Sequence, residues 1–369
     1  MDVTLVDRAR QAIDGTQMTR EEFARAVGLT PDKLSKALNG RRNFTSLELA
    51  RVAEATGRTV DWFLSGRTVE TPSLAARVSP ETTVKLSEIE VLAKRFSAAN
   101  RQLVMLGLDR TMESLPPVPP GRFVEAASSM ANFATSRLAA AGFTVERLST
   151  LELIDAVETV FDVDIAVTNL TEGMDGCAWQ DSSMRLIMLN RTRIWVRQRF
   201  TLAHELGHVL ARDAQNSLIA EDVMARGESV SERRANSFAA AFLMPEAHLR
   251  EVTGGEVASH ETFVALVNTL CVSPTSLAWR LHNLGLIRPE DKEEWISMTA
   301  EGAAMSARDP DLVIENQRLA MCERLPTRLV REHMQAYYRG DASARPLASL
   351  LDEEPARVID LLADGAEER

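Results

Sequence analysis

The chain has 369 residues, of which 45% are apolar and 26% charged, and a formal net charge of −11. That length exceeds one small core and predicts two or three domains of ordinary globular composition. The acidic balance excludes a general nucleic-acid coat protein but leaves room for a local DNA-binding face. No apolar run approaches the roughly 18–20 residues that span a bilayer. The start, Met1-Asp2-Val3-Thr4, lacks a basic region followed by an apolar stretch, so no secretory signal and no membrane partner are expected. Three widely separated cysteines, Cys177, Cys271 and Cys322, form neither a disulfide framework nor a thiolate metal site, which makes a reducing, cytoplasmic location the expectation.

Residues 1–66 carry ten Lys/Arg against nine Asp/Glu, leaving about −12 on the remainder. They read as short helices. Thr19-Arg20-Glu21-Glu22 has the form of a capping box; Phe23, Ala24 and Val27 follow at helical spacing, and Gly28 ends the helix. Thr30-Pro31 starts another, with Leu34, Ala37 and Leu38 as its buried stripe and Asn39-Gly40 as its stop. A helix from Ser46 to about Thr56 and a short one around Trp62, Phe63 and Leu64 complete five. Residues 67–82, polar and with Pro72 and Pro80, read as a linker, and Lys85 to Met112 as a helix. Leu115-Pro116-Pro117-Val118-Pro119-Pro120-Gly121 is a stiff spacer at a domain boundary. Residues 122–160 read as helical, Val163–Val167 and Arg185–Asn190 as strands, and 199–212 and 231–244 as helices. The rest is mostly helical, without an internal repeat.

The chemistry concentrates in His204-Glu205-Leu206-Gly207-His208. Four residues of helix return His204 and His208 to nearly the same face, so both imidazoles can reach one zinc ion. Glu205 stands beside them, placed to take a proton from a water that the ion activates. Phe200, Leu202, Ala203, Leu206 and Val209 or Leu210 make the surroundings apolar, where two histidines and a glutamate are costly without a cation. A catalytic zinc takes three protein ligands. His248, His260, His282 and His333 are scattered singly, Glu221, Asp222 and Glu228 lie in a loop and read as solvated, and Asp213 is too close along the first helix to swing back easily. Glu232 is the better candidate. It stands three before Ala235 and seven before Ala239, on the inward face of a helix that Ser231 would cap. A carboxylate aimed at the core needs a cation; a solvated surface role is the competing reading.

The run Arg199-Phe200-Thr201-Leu202-Ala203-His204-Glu205-Leu206-Gly207-His208, with Glu232-Arg233-Arg234-Ala235-Asn236-Ser237-Phe238-Ala239 and Leu243-Met244-Pro245, resembles the ImmA/IrrE family of bacterial zinc peptidases over roughly residues 120–290. The resemblance implies a zincin-like, gluzincin-type fold and Zn2+ held by His204, His208 and Glu232. It also implies Glu205 as general base, Asn236 and small residues packed behind the site, and a substrate peptide extended along an edge strand at Leu186–Asn190. Family members typically cut a partner protein, often a helix-turn-helix repressor, in a stress or phage response. Residues 19–40 look like an Xre-type helix-turn-helix. That resemblance implies a double-stranded DNA operator, read by the helix Pro31 to Asn39 in the major groove. Thr30, Asp32, Lys33, Ser35, Lys36 and Asn39 face outward, with Lys33, Lys36 and Asn39 as base or phosphate contacts and Arg20, Arg41 and Arg42 on phosphates. Arg20 stands where glutamine is usual and Leu38 where glutamate is common. Leu325 to Leu362, with Tyr338-Arg339-Gly340-Asp341-Ala342-Ser343, resembles the helical tail of longer family members, an oligomerisation or partner-binding piece.

The expected fold is therefore mainly α with a small β-sheet (α+β). It comprises a five-helix helix-turn-helix domain (1–66), a linker with a helix and a proline-rich spacer (67–121), a zincin-like HExxH metallopeptidase domain (122–295) and a helical C-terminal region (296–369). The expected function is a DNA-binding regulator with a zinc metallopeptidase that cuts a regulatory, repressor-like protein, its own linker being one candidate substrate. The alternative is a repressor or antitoxin of a toxin–antitoxin pair, whose zinc domain senses or binds a partner such as a toxin. Because Xre-type modules bind paired half-sites, a homodimer is expected.

Overall fold

The computed structural model describes residues 5–16, 18–56, 63, 73–78, 86–108, 112–170, 173–181, 183–213 and 229–367. The chain divides into two units, Met1–Thr71 and Pro72–Arg369. In the first, α1 (Leu5–Asp14), α2 (Arg20–Ala26), α3 (Pro31–Leu38) and α4 (Ser46–Ala55) close over Phe23, Val27, Leu34, Leu38, Val52 and Phe63. The capping box at Thr19 and Glu22 is present, and Thr30 caps α3 ahead of Pro31, as the local sequence dictates. The fifth helix expected around Trp62 and Leu64 lies outside the described residues, apart from Phe63.

The second unit opens with a strand where the sequence reads as linker: β1 (Ser73–Val78). After α5 (Leu86–Met105) come α6 (Phe123–Ala140) and α7 (Thr150–Phe161), separated by a turn where one helical stretch is expected. Three strands follow, β2 (Val163–Thr168), β3 (Met174–Gln180) and β4 (Arg185–Asn190). The sheet order is β1-β3-β4-β2; β2 runs parallel to β4, and β3 pairs antiparallel with both β4 and β1. Two long helices carry the site, α8 (Trp195–Ala211) and α9 (Val230–Leu243). The remainder is helical: α10 (Glu246–Thr253), α11 (His260–Leu270), α12 (Pro274–Leu284), α13 (Pro289–Trp295), α14 (Ala300–Ser306), α15 (Pro310–Met321), α16 (Thr327–Tyr338), α17 (Ala344–Leu351) and α18 (Pro355–Glu367). Among the described residues no single helix is long and apolar enough to cross a membrane.

The sheet is covered on both faces, which explains the near-continuous apolar run of β4. Ile187 and Leu189 join Ile165, Ala178 and Leu202 in a core with α6 to α9. Leu186 and Met188 turn to the other face, where Cys177 and Trp179 meet Phe96 and Leu103 of α5 and Leu329 and Leu350 of the C-terminal helices. The C-terminal region thus shares with α5 the cover of one face of the sheet. Its tie to the outer edge of β2 is polar. Arg324 forms a bridge with Val167, donates to the Ile165 carbonyl at 2.7 Å, and pairs with Asp155 at 2.7 Å and Glu158 at 2.6 Å. Glu158 also accepts the Ile165 amide at 2.9 Å. Burial pushes the Glu158 carboxyl above its ordinary pKa, and the Arg324 contacts and the Ile165 amide oppose that rise.

Removing Arg324 strands a buried carboxylate and reopens a sheet edge. Arg324→Ala is expected to lower unfolding free energy by about 3–5 kcal/mol, read from the urea midpoint. A loss under about 1 kcal/mol, the range of exposed pairs, would mean that the pair does not anchor the C-terminal region.

Candidate metal centre and nucleic-acid interface

The helix α8 buries every residue from Thr201 to Leu210. Its polar members therefore have to find partners inside the protein. His204 and His208, one turn apart, bring their Nε2 atoms to 3.1 Å of each other. Glu232 approaches from α9, with Oε2 at 3.2 Å from His204 Nε2 and Oε1 at 3.2 Å from His208 Nε2. Among the described residues these three form the one group of three His, Cys, Asp or Glu side chains with ligand atoms close enough to share a metal ion. Asn236 Oδ1 lies 3.0 Å from His204 Nδ1, and Asp213 Oδ2 lies 2.9 Å from His208 Nδ1. An acceptor oxygen at each Nδ1 fixes the ring orientation and turns both Nε2 atoms toward Glu232.

Three electron-rich atoms facing one another at these distances call for a cation. Ligand atoms arranged tetrahedrally at about 2.0–2.1 Å from one zinc stand roughly 3.3 Å apart. The observed separations of 3.1–3.2 Å match that spacing, so the residues fit such an ion. Without a metal ion, a proton on the histidine pair answers the same demand. Burial alone would depress the pKa of His208, but hydrogen bonds to Asp213 and Glu232 and the charge of Glu205 push it up to about 10. Burial works to raise Glu232, yet its hydrogen bonds with the two histidines hold it well below the usual carboxylate range.

Local sequence sets each position. Ser229, not Ser231, caps α9, its hydroxyl accepting the Glu232 amide at 3.1 Å. Glu232 thereby falls in the first turn, where the helix dipole favours a carboxylate. Ala235, Ala239 and Phe242 are buried on the same face, as the spacing predicts. Gly207 lets α9 come close: a Cβ there would sit 2.9 Å from Phe238 Cδ1 and 3.4 Å from Ala235 Cα. Glu205 is completely buried.

Asp213 is the residue of this cluster that sequence reasoning set aside. Contrary to the expectation that it is too close along the helix, it swings back: Arg212 takes a left-handed conformation at φ 59° and ends α8, so the next side chain folds against His208. Its other oxygen pairs with Arg234 of α9, which ties the two site helices together. An acid shortly after the second histidine was the available signal. The strand expectation also changes. β4 lies between β3 and β2, so Leu186–Asn190 is no edge. Both β4 and β3 pack on the site helix, and in β3 Asp175 accepts from Arg197 Nε at 2.8 Å. Glu221, Asp222 and Glu228 lie outside the described residues. The single histidines stand apart from the triad; His333, for example, lies 3.1 Å from the Ala99 carbonyl.

In the first unit, Thr30, Asp32, Lys33, Ser35, Lys36, Asn39, Arg20 and Arg41 are exposed, and α3 turns a continuous polar face outward. Lys36 pairs with Asp32 at 2.8 Å and Arg20 lies 3.6 Å from Asp14, both on the surface. Thr30 spends its hydroxyl on the Lys33 amide. Arg42 is half-buried and paired with Glu48, so its first role is to hold the start of α4. Leu38 is core.

Residues 159–282 match the family model described as IrrE N-terminal-like domain, of the M78 peptidases, and residues 8–63 match the one described as Helix-turn-helix. No curated protein matches the chain closely. An Xre-type helix-turn-helix and an IrrE-like, peptidase-type domain are thus fused in one chain.

If the triad is a metal site, Glu232→Ala abolishes stoichiometric zinc in metal analysis of the purified protein. Asp213→Asn weakens affinity by about 10–100-fold, the usual loss on removing a carboxylate behind a histidine ligand. Zinc content unchanged in Glu232→Ala would remove that residue from the site.

Proposed function

We propose that this chain is a DNA-binding regulator whose second unit is a zinc-dependent peptidase acting on a regulatory, repressor-like protein. The observation that carries it is the meeting of His204 Nε2, His208 Nε2 and the Glu232 carboxylate at 3.1–3.2 Å, with Glu205 on the same helix between the two histidines. Three protein ligands leave a fourth position for water or substrate, the pattern of catalytic rather than structural zinc. When bound, zinc supplies Lewis acidity, lowering the pKa of a water and polarising a carbonyl.

The chain's own residues do the rest. Asn236 and Asp213 hold the two imidazoles in the ligating tautomer, and Arg234 holds Asp213. Glu205 is the general base: it takes the proton of the attacking water and returns it to the leaving amine. Its burial keeps bulk water from the carboxylate, which sharpens each charge interaction around it. Fusion to a DNA-binding unit supports a regulatory target, because the peptidase is delivered where a repressor acts. In that unit, α3 enters the major groove with Lys33, Ser35, Lys36 and Asn39 toward the bases and phosphates, and Arg20 and Arg41 grip the backbone beside it.

Zinc-loaded protein incubated with repressors encoded beside its gene is expected to cut one of them, while Glu205→Ala keeps its zinc and loses cleavage. Cleavage by both, or by neither, sinks the catalytic assignment; zinc binding with no cleavage leaves the antitoxin-type reading. For the DNA unit, Lys33→Ala is expected to weaken operator binding and lower the slope of log affinity against log salt by about 1 if it contacts a phosphate. A slope equal to wild type removes Lys33 from the backbone contacts.

A further inference from the structure

The sheet has two lateral edges, and they are closed differently. The outer edge of β2 is sealed by Arg324 and Glu158, which bond the Ile165 carbonyl and amide, and by the bridge of Arg324 to Val167. On the other side β1 is the outermost strand and β3, which lies with β4 against the site helix, is next to it. Gly176 of β3 approaches α8 so closely that a Cβ would fall 2.5 Å from Thr201 Cγ2, three residues before His204. Asp175 is bound to Arg197 of the same helix. Cys177 feels the charge of Glu205, which, after burial itself, further raises its thiol pKa. Of the two edges, this is the one beside the triad. An extended peptide adding a strand there would satisfy its backbone on β3.

That position is taken. Ser73–Val78 pairs antiparallel with β3 from Ser73 opposite Gln180 to Val78 opposite Met174, with a register irregularity after Arg77. The segment begins two residues after Thr71, where the first unit ends. Meanwhile Glu205 is 0% exposed, His204 1% and His208 2%, so the base is closed to solvent and the cluster opens outward only at Glu232, whose side chain is 22% exposed. We propose that Ser73–Val78 is a built-in occupant of the peptide-binding edge, and that it must leave β3 before an extended segment of a substrate protein can pair there. The inference rests on the peptidase reading above and specifies its regulation. The occupant is covalently tethered, so it competes at high effective concentration without needing strong pairing. Shifting the chain toward the state with β1 released is then what admits substrate.

The test uses the full chain and a labelled synthetic peptide of residues 71–80. In Ala75→Pro/Ala76→Pro, two adjacent prolines cannot both avoid the ladder, and one hydrogen bond to β3 must be lost. Amides of β3 are expected to exchange faster than in wild type while those of β4 stay protected, which reports a folded protein. The peptide is expected to bind this variant at least about tenfold more tightly, the gain when a site open about a tenth of the time becomes always open. A reversible lock gives the converse. Ala76 is the register partner of Cys177, and antiparallel partners stand within disulfide reach. Ala76→Cys is expected to cross-link to Cys177 under oxidation and lose peptide binding, with dithiothreitol restoring it. Unchanged β3 exchange, equal peptide binding by wild type and the proline variant, or no cross-link would each overturn the proposal. So would a cut within residues 73–78 of zinc-loaded wild type, which would make the segment a substrate. Peptide binding that responds as expected, with no cleavage by any form, refutes the peptidase reading alone.

Discussion

The second unit is organised around one electrostatic constraint: three side chains from two helices place lone pairs within about a hydrogen bond of each other in a buried environment. Without a metal ion or a proton on a histidine, such a cluster would be strongly unfavourable. The surrounding structure is arranged to tolerate it. Asp213 and Asn236 orient the imidazoles, Arg234 compensates Asp213, and the N-terminal turn of α9 favours Glu232. Close contact of the two helices at Gly207 is the geometric condition for all of this. A side chain there would push α9 outward and pull Glu232 from the histidines.

The sheet serves the same end from the other side. Because both its faces are buried, by α6 to α9 on one and by α5, α16 and α17 on the other, its strands are held rigidly behind α8. The C-terminal helices, which carry no chemistry recognisable in the sequence, thereby become part of the scaffold. Arg324 illustrates how. One residue closes a strand edge, compensates a buried glutamate and fixes the helices that follow. The polar cleft nearby, about 730 Å³ and lined by Asp155, Glu158, Arg324 and Arg328, is lined by charges that largely neutralise each other. It offers little to a charged ligand, in contrast to the triad.

Much was legible in the sequence because it is local. The four-residue separation of His204 and His208 dictates a shared helix face, and the apolar neighbours dictate burial. Capping residues at Thr19 and Thr30 place α2 and α3 within a residue or so. The period of Ala235 and Ala239 places Glu232 inward. These properties depend only on helix geometry and on what can be buried. Matches of residues 159–282 and 8–63 to their families agree with that local reading.

What only the tertiary structure decided is long-range. β1 is hidden between polar, proline-flanked residues because a strand of six residues gains its stability from the partner it pairs with, not from its own pattern. The place of β4 inside the sheet, rather than at its edge, follows from strand order, which residue periodicity does not encode. Asp213 reaches His208 only because Arg212 reverses the chain. The histidine pair therefore belonged to the sequence, since one helical turn brings it together. The closed edge beside that pair belongs to the fold, since it joins residues about 100 positions apart whose meeting is decided by packing and backbone hydrogen bonds alone.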